Sequence, residues 1–444
     1  MNALWLCLHF PQLPLDLVLR GQRAADTAAA VAIVAKQQVL LVNESAQAAG
    51  VTPGMSLTSA YALAANLQAL ERQVAREEKA LTFLANWAYQ FTPAVSPQTT
   101  AEILLEIGGS LRLFHGLPKL LQQIDLELQE LGFTYLAALA HTPKAAAVFS
   151  ADATTALRDP AAQLDTAPDN FLRQLQNMPL TQLPLSAKQQ TQVQRLGLKR
   201  TGELLQLPRA SLGKRFGKAF VTYLEQLTGQ QPDLQPTFTP AQHFASEVHF
   251  LSGLTSIGML KQPVQQLLGE LHRYLTGRQL HCRSFHWRFF HFDKQASLLA
   301  IELSRGQNNA DNFLALTLLK MENLQLESAV ETVQLRADQL QPAEADNTTL
   351  FRELAGPDQG DPGFLLDKLR GRLGPDELFT LRLQDEHLPE LRQQKTAPVI
   401  TRAPKTKARA PKAKPRASAK SNSVSATICA AAPPLPLWLC DSPQ

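Results

Sequence analysis

Near its start the chain reads "LWLCLHFPQLPLD". Residues two apart in a strand share a face, so Cys7 and His9 project together from an otherwise apolar ribbon. A thiol and an imidazole side by side suggest a zinc site. Tetrahedral zinc needs four ligands, however, and no further pair lies near in sequence, so two packing residues are the simpler account. The stretch "LHCRSFHWRFFHF" (280–292) raises the same question with His281, Cys282, His286 and His291. Strand alternation groups His286 with Arg288, opposite Phe285, Trp287, Phe289 and His291, and so divides the histidines between faces. No metal and no cofactor is expected there. The reading is a core strand whose Arg283 and Arg288 face either phosphates or solvent. Carboxylates at Glu102 and Glu106 in "AEILLEIGG", and at Asp16, complete the set of candidate groups.

The elements that must position these groups follow from the pattern. Strand-like runs at 3–10, 29–43, 101–107 and 133–142 alternate with helix-like runs, among them 77–93 and 117–132, the second closed by Gly132 at its C-cap. Such alternation indicates an α/β or α+β region. From about 170 to 230 the pattern is purely helical with short loops. Strand signals return in "EVHFLSGL", "SFHWRFFHF", "SLLAIELSR" and "VETVQLRADQL", with "MLKQPVQQLLGELHRYLTGR" as a helix between them. The chain of 444 residues therefore reads as a multidomain α+β body.

Charge is unevenly placed. The formal net charge is +4, but nine Lys or Arg and no acid lie between Lys395 and Lys420, so the remainder carries −5. That Ala-, Pro- and Lys-rich tail lacks the apolar content to offset ordering entropy and reads as a disordered linker. It is either a solvated spacer or a non-specific phosphate-binding arm. A second basic cluster, Lys199, Arg200, Lys214, Arg215 and Lys218, falls in "LGLKRTGELLQLPRASLGKRFGK". Its Leu196-Gly197-Leu198 turn could present backbone N–H groups to phosphate at a helix start. No run of 18 apolar residues and no secretory signal are visible, which leaves no membrane role and predicts a cytoplasmic protein. Four cysteines (Cys7, Cys282, Cys429, Cys440) without a Cys-x-x-Cys fit a reducing compartment.

The order of these regions, with "TPAVSP", "LLEIGGSLRLFHG" and "ALAHTPKAAAVFS", resembles the Y-family translesion DNA polymerases of the UmuC/DinB class. Within them it is similar to the branch of polymerase-like proteins found in bacterial mutagenesis cassettes. The resemblance implies a right hand: a palm with inserted fingers over 1–168 (fingers about 12–75) and a helical thumb with a helix-hairpin-helix-like element over 169–233. A little finger at 240–345, a clamp-binding segment at 346–355, a short folded extension at 356–392 and a disordered basic tail at 393–444 would complete it.

In active relatives the first strand carries Asp-x-Asp and the palm a second Asp-Glu, together holding two Mg²⁺ ions. On that pattern Cys7 and His9 stand at the first motif, Ala101 at the second metal-binding Asp and Glu102 at its neighbour. Glu44-Ser45-Ala46-Gln47 replaces the Tyr- and Arg-bearing stretch that holds the triphosphate. Mg²⁺ wants oxygen ligands, which a thiol and an alanine do not supply. The resemblance thus implies a catalytically silent protein of damage-induced translesion synthesis. Its implied partners are DNA (damaged or primer-template), the sliding clamp, a RecA-like accessory protein and an error-prone replicative-type polymerase. One alternative is an active lesion-bypass polymerase with a metal site built from Glu102, Glu106 and Asp16. Another is a DNA-binding module without a replication link. The clamp expectation rests on Asn347-Thr348-Thr349-Leu350-Phe351, which resembles the Gln-x-x-Leu-Phe ligands of bacterial clamps, with Asn347, Leu350 and Phe351 as the contacting residues.

Overall fold

The computed structural model describes residues 3–21, 29–98, 101–151, 167–293, 295–326, 328–343, 362–374, 377–383, 387 and 393–396. The first region opens with β1 (Trp5–His9) and α1 (Leu13–Leu19), whose start is set by Pro14 in its first turn. Next come β2 (Val31–Ala35), β3 (Gln38–Val42), α2 (Glu44–Ala48), α3 (Leu57–Leu63) and β4 (Gln68–Glu71). The Asn43 and Ser56 side chains cap α2 and α3 by accepting from backbone N–H groups. These strands make a small sheet of order β3-β2-β4, in which β4 runs parallel to β2. The pairing with β4 was not legible in the sequence.

The chain then forms α4 (Val74–Ala88), β5 (Val95–Gln98), β6 (Glu102–Glu106), α5 (Leu117–Leu131), β7 (Leu136–Ala140) and α6 (Pro143–Ser150). Gly132 closes α5 in the left-handed region at φ 74°, the conformation for which glycine has no steric penalty. The sheet has order β5-β6-β1-β7, all antiparallel. One face carries Leu6, Leu8, Ile103, Leu105 and Leu139 into a core with α4 and α5. Each fully buried Leu or Phe there contributes about 2 kcal/mol. The other face is covered by α6 and the helices that follow.

Those helices are α7 (Pro168–Asn177), α8 (Ala187–Arg195), α9 (Thr201–Leu205), α10 (Arg209–Phe216) and α11 (Lys218–Leu227). A second sheet region contains β8 (Phe244–Leu254), α12 (Ile257–Gly277), β9 (Leu280–His291), β10 (Ala296–Gln307), α13 (Ala310–Met321) and β11 (Val330–Pro342). Its order is β10-β9-β11-β8, with α12 and α13 packed on the face that carries Phe285, Trp287 and Phe289. Then α14 (Pro362–Leu373) lies along the edge strand β10, where Asp367 accepts a 2.7 Å bond from the Ser304 N–H. A hairpin of β12 (Thr380–Leu383) and β13 (Gln393–Thr396) follows. No described helix is long and apolar enough to cross a membrane.

Candidate active site and nucleic-acid interface

Antiparallel register decides which side chains meet. His9 sits opposite Glu102, Cys7 opposite Leu104, and Trp5 opposite Glu106. Directly opposed residues share a face, so Cys7, His9, Glu102 and Glu106 do lie on one face of the sheet. They do not form a site. Cys7 has no exposure and packs in one core with Leu104, Ala138, Ala146 and Phe149. Its sulfur accepts a 3.1 Å bond from the Ser150 hydroxyl. Burial, reinforced by the Glu102 charge, pushes the thiol far above its ordinary range, so it stays protonated. A protonated, enclosed thiol is not a metal ligand.

Of the three carboxylates, Glu106 and Asp16 are engaged elsewhere, while Glu102 faces His9. Glu102 Oε1 lies 3.5 Å from His9 Nδ1. Glu106 accepts from the backbone N–H of Leu4 at 3.3 Å and of Gly108 at 3.1 Å, and so ties the turn after β6 to the start of β1. Asp16 is buried and accepts from the Thr134 N–H at 2.7 Å and the Thr134 hydroxyl at 3.2 Å. Burial lifts its carboxyl to about 6 against the opposing pull of the Thr134 bonds and Arg20. Ala101 adopts φ 58° and its carbonyl accepts from the Phe10 N–H. It offers no ligand, in a conformation that alanine adopts at a cost. Among the described residues no three His, Cys, Asp or Glu side chains are placed to hold a metal ion. The donor set does not fit a pair of Mg²⁺ ions, which need several convergent carboxylate oxygens.

The basic residues are differently placed. Lys199, Arg200, Lys214, Arg215 and Lys218 are all exposed. The expected amide cradle at the Leu196-Gly197-Leu198 turn needs correction. The Lys199 and Arg200 amides both donate to the Glu203 carboxylate, at 2.8 and 3.3 Å, and the Gly197 and Thr201 amides are also bonded. Backbone N–H groups, which pull the Glu203 carboxyl below its ordinary range, are spent on that side chain. The next turn differs: Gly217, at φ 88°, leads into α11 without a side-chain cap, beside Lys214, Arg215 and Lys218.

Arg283 and Arg288 are both exposed on β9. Strict alternation would put residues five apart on opposite faces. The alternation slips where Ser284 and Phe285 are buried in succession, and β10 and β11 lose register with β9 over that stretch. Asn347, Leu350 and Phe351 lie outside the described residues, as do the tail cations apart from Lys395.

Sequence reasoning missed a buried seam between the first region and the second sheet. Arg20 at the end of α1 bonds Glu270 of α12 at 2.5 Å. Both side chains are almost fully enclosed, at 4% and 2% exposure. No local signal links residues 250 positions apart.

Comparison with known proteins gives three kinds of match. The impB/mucB/samB family profile matches residues 19–151. Protein ImuB of Caulobacter vibrioides is 26% identical over 353 residues, covering 79% of this chain and 75% of that one. DNA polymerase IV of Yersinia pseudotuberculosis is 28% identical over 178 residues, 40% of this chain and 49% of that one. Among solved structures, a Y-family polymerase chimera of Dbh and Dpo4 superposes with a TM-score of 0.44 at 12% identity, covering 76% of this chain and 99% of that one.

Proposed function

We propose, from the premise that the chain is a homologue of ImuB and of the UmuC/DinB-like Y-family polymerases, that it is a non-catalytic member of a translesion-synthesis assembly that holds DNA without extending it. One observation carries the reading. On this resemblance, the three positions that carry metal-binding carboxylates in active relatives hold a sealed thiol (Cys7), an alanine (Ala101) and one carboxylate facing His9 (Glu102). Two-metal nucleotidyl transfer needs both ions to activate the primer hydroxyl and to stabilise the leaving group. The other reading, an active polymerase using Glu102, Glu106 and Asp16, asks three carboxylates to converge, yet Glu106 and Asp16 serve backbone amides in different parts of the fold.

DNA contact is assigned to the exposed cations Lys199, Arg200, Lys214, Arg215 and Lys218, and to Arg283 and Arg288 on the second sheet. Exposed Lys and Arg supply affinity by releasing counterions from the phosphate backbone. The sliding clamp is the proposed ligand of Asn347, Leu350 and Phe351. A RecA-like accessory protein and an error-prone polymerase are further partners in this reading, and the chain would bridge clamp and polymerase.

The test is primer extension by the purified chain with Mg²⁺ and with Mn²⁺, alongside duplex binding by the parent and by a Lys214→Ala, Arg215→Ala, Lys218→Ala variant. The expected result is no extension, with weaker binding and a shallower salt dependence in the variant. Extension that disappears on Glu102→Ala would overturn the non-catalytic reading.

A further inference from the structure

We infer that Arg20, Gly21 and Glu270 pin the second sheet region to the first, and that this pin sets its Arg283–Arg288 face in place for DNA before any DNA arrives. The inference rests on the DNA-binding reading above, and the seam itself rests on geometry alone.

Three features make the seam a fixed joint rather than a loose contact. The first is the ion pair. Arg20 donates to Glu270 Oε1, Ser246 of β8 donates to Glu270 Oε2, and the guanidinium lies over the Phe133 ring at 4.5 Å and the Phe83 ring at 5.6 Å. A buried ion pair holds only while both partners stay in place, because either one alone is an uncompensated charge. The Arg20 Nε has no hydrogen-bond partner among the described residues, so the guanidinium is compensated by Glu270, by the two rings and by the nearby Asp16 carboxylate.

The second feature is steric. A Cβ added at Gly21 would run into the His249 carbonyl oxygen and the Val248 side chain of β8. The φ of Gly21 is outside the left-handed region, so glycine stands there for closeness, not for backbone freedom. The third is a surrounding ring of contacts. Leu251 of β8 packs on the cluster of Leu15 of α1 with Val31 and Ile33 of the small sheet. Arg278 is held between the Tyr89 and Tyr274 rings while it donates to Asn86 of α4 at 3.0 Å. Arg273 meets Glu130 at 2.9 Å.

An interdomain surface this polar would ordinarily permit relative motion. The enclosed pair and the backbone approach at Gly21 remove that freedom. The exposed cations of the two regions then meet a duplex as one preset surface, and binding does not carry the cost of orienting them. Arg20, Gly21 and Glu270 are positioning residues in this scheme, since none of them is placed to touch DNA.

The experiment uses the full chain with Cys429→Ser and Cys440→Ser. Nitroxide labels go on Gln122→Cys of α5 and Glu302→Cys of β10, both exposed. Electron–electron distances and 30-base-pair duplex binding are measured for this parent and for Gly21→Ala, Arg20→Ala and Glu270→Gln. One narrow distance is expected in the parent. Broad or shifted distances are expected in Gly21→Ala and Arg20→Ala, and a smaller change in Glu270→Gln, which keeps an acceptor for Arg20. Duplex affinity should fall about tenfold in Gly21→Ala, with the salt slope unchanged, because the same cations still reach the DNA but are no longer preset. Unchanged distances in both Gly21→Ala and Arg20→Ala would overturn the pin. Broadened distances with full duplex affinity would overturn its role in positioning. Broadened distances with a parent that binds no DNA would support the pin and overturn the DNA reading alone.

Discussion

Replacing Cys7 by Asp introduces the residue type that the resemblance to the Y-family implies for an active site, and the structure predicts that it damages the fold instead. The side chain has no solvent exposure, and its polar neighbour is the Ser150 hydroxyl. A carboxylate there would be unpaired and close to Glu102, whose charge already pushes the native thiol up. Such a group stays protonated at neutral pH. Holding an aspartic acid protonated at pH 7 against its ordinary value near 3.9 costs about 4 kcal/mol, at about 1.4 kcal/mol per unit. The sign follows from a folded-state value raised above the unfolded one. The deficit is largest at high pH, shrinks by about 1.4 kcal/mol for each unit of acidification, and vanishes near pH 4. Urea unfolding of Cys7→Asp and of the parent at pH 5 and pH 7 measures it, since subtracting the parent removes the pH dependence of every other group. The gap should be about 3 kcal/mol wider at pH 7, and Mg²⁺ should not narrow it. A deficit below about 1 kcal/mol at pH 7, or one that Mg²⁺ abolishes, would mean that the position is open to solvent and metal and that the sealed-site argument is wrong.

Asp16 supplies a second pH signature: with its carboxyl near 6 when folded, its contribution is fully present below about pH 4 and lost as pH rises through 6. Asp16→Asn should therefore raise stability at pH 7 relative to pH 4 by about 2 kcal/mol compared with the parent, as read by the same unfolding curves. Leu350→Ala combined with Phe351→Ala should abolish sliding-clamp binding in surface plasmon resonance while the melting temperature holds, whereas Asn347→Gln keeps or tightens it. Binding of the double variant at parental affinity would remove the motif assignment. Deleting residues 395–420 should weaken duplex binding equally across sequences and flatten its salt dependence; an unaltered slope would make the tail a spacer.

What could be read in the sequence was whatever depends on neighbours along the chain. The Gly132 cap, the period-two pattern of Phe285, Trp287 and Phe289, and the shared face of Cys7 and His9 are local consequences of φ/ψ preference and pleat. The parallel pairing of β4 with β2 was not legible, because Gln68–Glu71 is short and its partner lies about 35 residues away. Arg283 shows how a bulge defeats a periodic argument: one slip at Ser284–Phe285 changes the face of every residue beyond it. The turn at Gly197 was legible as a turn, but the engagement of the Lys199 and Arg200 amides was not, because that depends on where the Glu203 carboxylate folds back. The candidate ligands were legible by type alone. That Cys7 is sealed, that Glu106 and Asp16 bond backbone amides, and that Arg20 finds Glu270 are properties of the packed chain.

The helix α14 has a consequence for anyone dissecting this protein. β10 is an outer strand, and two of its backbone groups are occupied from two sides: the Ser304 N–H by Asp367 of α14, and the Ala300 carbonyl by the Lys320 ammonium of α13 at 2.7 Å. A fragment that stops before Pro362 keeps the lysine but loses the aspartate and the helix that shields the strand. An uncovered edge is a template on which a second molecule can add its own strand. Self-association of such a fragment would then be a product of the cut, not a property of the intact chain.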